Sequence, residues 1–399
     1  SCLVGSEMCI RDRPKFKKLY EKYEKDDSIR KQRINARELF ALFMKERANT
    51  GRIYLQNVDH CNTHGAFDPV QAPIKQSNLC MEITLPTKPL YSVQDDAGEV
   101  ALCTLSAVNL GALDSLDELE DITDIIVRSL DSLLDYQDYP LKSAEITSNN
   151  RRTLGIGITN LAYYLAKNDV KYSDGSGNDL IHKTFEALQY YSLKASNEIA
   201  QEFGPCPLFS ETQYAKGIMP IDSYKKDIDD FCDTKLELDW DTLRKNIKEK
   251  GLRNSTLTAL MPCESSSQIS NSTNGIEPPR GFISVKQSKD GILKQVVPEY
   301  EKLHKKYELL WDIKDNEGYL QLCAIMQKFV DQSISTNTHY DPSQYDGNRV
   351  PMKLFLMDLL KAYKYGIKTL YYHTTRDGAS DESIEKKGDD DCEDGVCKL

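Results

Sequence analysis

Cys392 and Cys397, near the end of the chain, are spaced so that they can close a disulfide across Gly395. Residues 379–394 around them are mostly Asp, Glu, Ser, Gly and Lys, which bury too little apolar surface to hold a fold. We therefore expect a mobile tail over residues 379–399. No further Cys or His for a zinc site stands nearby in the sequence, and acidic neighbours do not favour a thiolate. The pair indicates either a swinging redox shuttle or a tail with incidental cysteines.

Asn78, Cys80 and Glu82 place an amide, a thiol and a carboxylate at every second position. Alternate side chains of an extended segment share one face, so the spacing predicts that the three groups meet around one ligand. A carboxylate in such a place can transfer protons. The same alternation is also typical of an ordinary half-buried strand.

Three further residues have types that can do redox chemistry. Cys103 lies in an apolar run, and Tyr371 and Tyr372 are adjacent at the end of another. Taken alone, a cysteine or a tyrosine in such surroundings is more often a packing residue than a reactive one.

A hydroxyl-rich stretch, residues 261–280, is expected to form a turn between a strand and a short helix. Backbone N–H groups at a helix start, together with hydroxyls, can hold a diphosphate. The candidate groups are Pro262, Cys263, Glu264, Ser265 and Ser266. An ordinary helix cap rich in serine explains the local pattern equally well.

The elements that must position these residues are predicted from apolar periodicity. Residues 52–90 are expected to be irregular, and 153–158 to be a buried strand. Helices are predicted at 28–49, 119–134, 160–167, 178–203, 319–335 and 352–365. The alternation of strand and helix predicts an α/β fold.

The composition excludes several functions. A net charge of −11 argues against a nucleic-acid surface. No apolar run approaches the roughly 18 to 20 residues that span a bilayer, and no signal peptide is visible. We expect a cytoplasmic protein whose 11 cysteines are thiols. Residues 1–13 are predicted to be translated sequencing adapter, because codons for residues 3–12 can be chosen to match a transposase-adapter oligonucleotide.

Together and in this order, these motifs resemble the large subunit of class Ia ribonucleoside-diphosphate reductases over residues 14–399. The resemblance implies an oxidoreductase that makes 2′-deoxyribonucleoside diphosphates by thiyl-radical chemistry for DNA synthesis. It also implies the second half of a ten-stranded α/β barrel over residues 14–275, a smaller α/β subdomain over 276–378, and the redox-active tail over 379–399.

The resemblance assigns roles to the catalytic residues. Cys80 would carry the thiyl radical, Glu82 would act as base on the ribose 3′-hydroxyl, and Asn78 would hold the sugar hydroxyls. Cys103 would be one of two reducing thiols, with its partner upstream of Pro14. The substrate would also contact the two residues between these groups, Leu79 and Met81.

Tyr371 and Tyr372 would relay the radical from a small subunit, and Cys392 with Cys397 would reduce the active-site disulfide by exchange. The substrate diphosphate would bind at residues 262–266, where Cys263 stands in place of the family's usual Ser. The hydroxyl at that position is lost, although its backbone N–H would remain available.

The resemblance also implies partners and missing parts. No cofactor is expected to bind this chain directly; a small subunit, diiron-tyrosyl in type, would supply the radical. ATP and deoxynucleotide effectors would bind an N-terminal part that this sequence lacks. Thioredoxin or glutaredoxin and a homodimer of the full-length subunit are expected partners, and the chain alone is expected to be an inactive fragment.

Two other kinds of protein compete with this interpretation. An adenosylcobalamin-dependent or glycyl-radical reductase shares the thiyl chemistry, but the Tyr371–Tyr372 pair favours a diiron partner, and a C-terminal Arg-Val-x-Gly-Tyr motif is absent from the sequence. A non-catalytic thiol-disulfide binding module would use only the tail pair and leaves Cys80 and Glu82 unexplained.

Overall fold

The computed structural model describes residues 13–288 and 291–376. Most of the segment predicted to be foreign, and the whole cysteine pair of the tail, lie outside the described residues. None of the described helices is long and apolar enough to cross a membrane.

The α-helices are α1 Arg13–Lys25, α2 Ala36–Thr50, α3 Val58–Thr63, α4 Glu118–Tyr136, α5 Lys142–Arg151, α6 Leu161–Lys167, α7 Asn178–Phe203, α8 Pro220–Ser223, α9 Trp240–Lys250, α10 Ser266–Ile269, α11 Tyr300–Leu303, α12 Glu317–Phe329 and α13 Met352–Lys364.

The strands form four pairs. Strands β2 and β3 are parallel, as are β6 and β8, whereas β1–β7 and β4–β5 are antiparallel. Their bounds are β1 Leu55–Gln56, β2 Thr104–Asn109, β3 Leu154–Thr159, β4 Ile283–Ser288, β5 Gly291–Val296, β6 Thr338–Tyr340, β7 Thr369–Leu370 and β8 His373–Thr375.

Two isolated parallel bridges extend the β2–β3 pair toward the rest of the fold. Ile156 of β3 bridges Thr258, and Leu260 in turn bridges Ile334, both in parallel. Every residue of β3 is buried, as expected for a parallel strand covered on both faces. Helix α7 packs against α4, α9 and α12 beside these strands. The described residues are thus an α/β array of parallel segments with helices around it.

Most predicted elements are confirmed. Helix α7 has the predicted bounds, and α4, α6, α13 and β3 lie within two residues of theirs. The helix predicted at 28–49 begins only at Ala36, because Asn35 caps it by accepting a hydrogen bond from the Arg37 N–H at 2.9 Å. Its first turns were therefore predicted wrongly.

The helix predicted at 319–335 is wrong at its C-terminal end. Helix α12 ends at Phe329, and residues 331–337, which we call the anchoring segment, cross the fold beside residues 256–260. All seven residues of the anchoring segment are buried although six are polar. Buried polar groups need hydrogen-bond partners. The partners of the anchoring segment are residues 256–260 and the residues of the candidate site.

Asp331 joins the anchoring segment to residues 256–258. Its carboxylate accepts hydrogen bonds from the backbone N–H groups of Leu257 and Thr258, each at 2.9 Å, and from the hydroxyls of Thr256 at 2.8 Å and Tyr214 at 2.9 Å. Asp331 is only 2% exposed, so no water molecule can take the place of its carboxylate as the acceptor for these donors.

We expect Asp331→Ala to lower the free energy of unfolding by about 3 kcal/mol or more, because it leaves several buried donors without an acceptor. Urea unfolding followed by circular dichroism measures the change. Asp96→Ala, at an exposed position, is the control and should change stability by less than about 0.5 kcal/mol. Equal effects of the two substitutions would contradict the anchoring role of Asp331.

Candidate functional site

Asn78, Cys80 and Glu82 come together through a tight turn and not through an extended segment. The Met81 N–H donates to the Asn78 carbonyl at 3.3 Å, and Met81 has a φ of +71°, in the left-handed region. The Asn78 side chain closes the turn by accepting from the Ile83 N–H at 3.1 Å. The turn brings the side chains of Asn78 and Glu82 into contact, whereas the Cys80 thiol faces Tyr371; the extended segment that was predicted for these residues is wrong.

The Glu82 carboxylate is buried and held by two side chains. Asn78 Nδ2 donates to Oε1 at 2.8 Å, and the Ser335 hydroxyl lies 3.3 Å from Oε2. Burial raises the pKa of Glu82, although the hydrogen bonds from Asn78 and Ser335 oppose the shift. A carboxylate whose pKa is raised is a stronger base toward a bound hydroxyl than an ordinary one.

The backbone of the same turn is fixed by the anchoring segment. The Ser335 hydroxyl lies 2.6 Å from the Cys80 carbonyl, and the Ser333 N–H donates to the Glu82 carbonyl at 3.0 Å. The backbone of Cys80 and of Glu82, two residues apart, is thus held by one buried segment.

Tyr371 reaches the thiol of Cys80. Its hydroxyl lies 3.6 Å from Cys80 Sγ, and its ring centroid is 4.0 Å from that of Tyr372. The pKa of Tyr371 is raised well above its ordinary value, chiefly by burial, so the phenol stays protonated. The anchoring segment also holds this pair: the Tyr371 N–H donates to Thr336 O at 2.7 Å, and the Tyr372 N–H to Asn337 Oδ1 at 2.9 Å.

Tyr54 is a member of this cluster that the sequence did not indicate. Its ring centroid lies 4.6 Å from that of Tyr371 and 5.4 Å from that of Tyr372. Burial raises the pKa of Tyr54. The residue comes just before β1, which pairs with β7 next to Tyr371, and that long-range pairing leaves no local signal.

Cys103 immediately precedes β2, and Gln332 links its thiol to the backbone of Thr84. Its thiol accepts a hydrogen bond from Gln332 Nε2 at 3.4 Å. Its pKa is raised to about 12, chiefly by burial. All seven cysteines of the described residues are free thiols, so Cys103 forms no disulfide within them.

The hydroxyl-rich stretch is arranged differently from the prediction. The Cys263 N–H donates to Asn274 Oδ1 at 2.8 Å, so it is already engaged, contrary to the expectation that it would remain available. The Cys263 side chain is buried. Helix α10 follows, but it has only four residues.

A cavity of about 390 Å³ opens beside this stretch, where β2 and β3 end. The ends of parallel strands are the usual ligand-binding edge of an α/β fold. Its lining combines apolar residues with the polar side chains of Ser106, Asn109, Thr159, Ser266 and Ser270, and includes Cys263. The structure does not place Pro262, Glu264 or Ser265 on the lining of this cavity. Within the part of the chain that the structure describes, no group of three or more His, Cys, Asp or Glu is placed to hold a metal ion.

Comparison with known proteins gives the family. The family profile described as "Ribonucleotide reductase, barrel domain" matches residues 3–373. The chain therefore belongs to the ribonucleotide reductase barrel-domain family, which confirms the α/β barrel class. The match begins within the segment predicted to be adapter sequence; that assignment and the domain boundaries stay predictions.

Three relatives show how far the similarity extends. A ribonucleoside-diphosphate reductase subunit alpha from Haemophilus influenzae is 64% identical over 393 residues, covering 98% of this chain and 52% of the relative. The ribonucleoside-diphosphate reductase 1 subunit alpha from Escherichia coli K12 is 65% identical over 391 residues, covering 97% of this chain and 51% of the relative. The subunit alpha of Enterobacteria phage T4 is 49% identical, covering 98% and 52%. The chain thus spans about half the length of the curated relatives it matches.

The raised pKa of Glu82 predicts a pH-dependent cost to folding. Glu82 binds its proton more tightly in the folded chain than in the unfolded chain, where its pKa has the ordinary value of 4.5. Glu82 therefore favours folding below that value, and this contribution is lost as the pH rises through the raised pKa. Since Gln cannot ionise, we expect Glu82→Gln to be more stable than the wild type at neutral pH, with the advantage disappearing near about pH 4.

Urea unfolding of both proteins at the two pH values tests this expectation. Glu301→Gln, at an exposed position, is the matched control and should shift stability equally at both. A Glu82→Gln variant whose stability difference from the wild type does not change with pH would show that burial does not perturb this carboxyl.

Proposed function

We propose that this chain is the catalytic half of a ribonucleoside-diphosphate reductase alpha subunit, which converts ribonucleoside diphosphates to 2′-deoxyribonucleoside diphosphates. The observation that carries the proposal is the approach of the Tyr371 hydroxyl to Cys80 Sγ at 3.6 Å, beside the buried carboxyl of Glu82. A phenol that receives a radical can pass it to the thiol beside it, and a carboxyl two residues away can then serve as the base for a bound ribose.

In the first step, a Tyr371 phenoxyl radical takes the hydrogen atom of the Cys80 thiol, which leaves a thiyl radical and a neutral phenol. The thiyl radical then takes a hydrogen atom from the ribose 3′ carbon, while Glu82 accepts the proton of the 3′-hydroxyl. Asn78 orients Glu82 from one side and the sugar hydroxyls from the other.

Cys103 donates one of the two thiol hydrogens used when the 2′-hydroxyl leaves as water. The resulting disulfide joins Cys103 to a second cysteine, which we expect in the half of the relatives that this chain does not span. Cys392 and Cys397 would restore the thiols by exchange and would in turn be reduced by thioredoxin or glutaredoxin.

The substrate diphosphate would occupy the cavity beside residues 262–266. The Cys263 N–H is engaged by Asn274, and the hydroxyls of Thr159 and Ser266 donate to backbone carbonyls. The donors we assign are therefore the Ser106 hydroxyl and the Asn109 amide, which also line the cavity. A diphosphate gains most from several short hydrogen bonds of this kind.

The remaining partners belong to the whole enzyme. Tyr372 would receive the radical from a small subunit, diiron-tyrosyl in type, and ATP or deoxynucleotide effectors would bind outside the region described here. A homodimer of full-length subunits is the expected assembly. We infer that the chain alone does not turn over, since its second reducing thiol is expected elsewhere.

A chimera tests the proposed function. The upstream half of the Escherichia coli relative is joined to residues 14–399 of this chain and assayed for reduction of cytidine diphosphate with the matching small subunit. We expect turnover by the chimera and none by the chain alone. Cys80→Ser should lower the rate by about 10⁴-fold or more, because a hydroxyl cannot replace the thiyl radical.

Cys232→Ser is the control, since this buried thiol lies in the core beside α7 and has no place in the proposed chemistry. It should keep the rate within a few-fold of the parent chimera. Substantial turnover by the Cys80→Ser chimera would overturn the proposal, and so would reduction of ribonucleotides by residues 14–399 without the added half.

A further inference from the structure

Gln332, in the anchoring segment, connects two parts of the site that are far apart in sequence. Its Nε2 donates to Cys103 Sγ at 3.4 Å and to the Leu154 carbonyl of β3 at 2.9 Å, while its Oε1 accepts from the Thr84 N–H at 3.3 Å. The side chain is 0% exposed. Both hydrogens of the amide nitrogen are therefore used, and one of them points at a sulfur atom.

We propose that Gln332 is a positioning residue for Cys103: its amide fixes the position of the sulfur and stabilises the thiolate form of Cys103 during disulfide exchange. This inference rests on the redox role of Cys103 in the proposed function. It adds a residue that touches neither the substrate nor the radical path.

The geometry leaves Cys103 little freedom to move. A β-carbon at Gly155 would lie 2.9 Å from Cys103 Sγ and 2.5 Å from Leu105 Cδ2, so the sulfur packs directly against the backbone of β3. Gln332 binds the Leu154 carbonyl next to this glycine. The amide and the glycine together define one position for the sulfur.

The charges around Cys103 make a donor necessary. Burial is the main cause that raises its pKa to about 12, and the carboxylates of Asp331 and Glu82 add to the increase, whereas the Gln332 N–H lowers it. Among the groups that face the sulfur, Gln332 supplies the hydrogen-bond donor that favours a thiolate.

Exchange places negative charge on this sulfur. When a disulfide that includes Cys103 is reduced, the incoming thiolate bonds to the partner sulfur and the old S–S bond breaks. The electron pair of that bond leaves on Cys103 Sγ, which later takes a proton from water. The incoming thiol is oxidised as the disulfide is reduced. A donor already aimed at the leaving sulfur lowers the barrier of this step, since hydrogen bonds to charged groups are the stronger ones.

The test is the alkylation rate of Cys103, which reports the thiolate fraction without any turnover. Iodoacetamide labelling of the 399-residue chain is followed peptide by peptide by mass spectrometry between about pH 7 and about pH 9. Gln332→Met keeps the volume but removes the donor. We expect Cys103 to react about tenfold more slowly at each pH, a loss equivalent to about one pKa unit, while labelling of Cys80 in the same samples is unchanged.

Gln189→Met is the matched control, because Gln189 is another buried amide, bound to Thr258 and Tyr214 and not to Cys103. It should leave the Cys103 rate unchanged. If Gln332→Met does not fold, Gln332→Asn withdraws the donor by one methylene and should slow Cys103 similarly. An unchanged Cys103 rate in the folded variant, or equal slowing by Gln189→Met, overturns the proposal. The labelling result does not depend on the chimera assay, so failure of the positioning role and failure of the proposed function can be told apart.

Discussion

The anchoring segment, residues 331–337, is the constraint on which the rest of the site depends. It is buried throughout and almost entirely polar, so each of its groups must find a hydrogen-bond partner inside the protein. Those partners are residues 256–260, the turn that carries Cys80 and Glu82, the Cys103 thiol, and the backbone of Tyr371 and Tyr372. Four segments separated by up to about three hundred residues are thereby held in one arrangement. An apolar segment would pack as well, but it could not fix the direction of each side chain.

This arrangement keeps the Cys103 thiol and the Tyr371 phenol protonated at rest. Burial raises the pKa of Cys103 and of Tyr371, which favours a thiol and a phenol over their anions, and it raises the pKa of Glu82, which makes that carboxylate a stronger base. Neutral groups can pass hydrogen atoms without separating charge in a poorly solvated interior. Where an anion is needed, a donor is already in place: Asn78 and Ser335 for Glu82, and, in our proposal, Gln332 for Cys103.

Much of the fold was predictable because its long elements have strong local signals. The apolar period of α4 and α7 and the continuous apolar run of β3 are enough to identify them. The site residues Cys80, Glu82, Cys103, Tyr371 and Tyr372 were predicted from their types and order, and the structure places the Tyr371 hydroxyl beside the Cys80 thiol. The anchoring segment was misassigned to a helix, since its hydroxyls and amides have neither a helical nor a strand period, and only their distant partners explain its conformation. The left-handed turn at Met81, the third phenol of Tyr54 and the engaged N–H of Cys263 likewise depend on contacts that no local pattern encodes.

The central claim is that Tyr371 delivers the radical to Cys80, and the most direct measurement is the reductase rate of the chimera when Tyr371 is replaced by Phe. The substitution removes only the hydroxyl that lies 3.6 Å from Cys80 Sγ. Tyr307→Phe, which removes a buried hydroxyl bound to Pro298 O at 2.8 Å, is the matched control. The account predicts that Tyr371→Phe lowers the rate by about 10³-fold or more while Tyr307→Phe does not. A Tyr371→Phe chimera that retains the parent rate would contradict it.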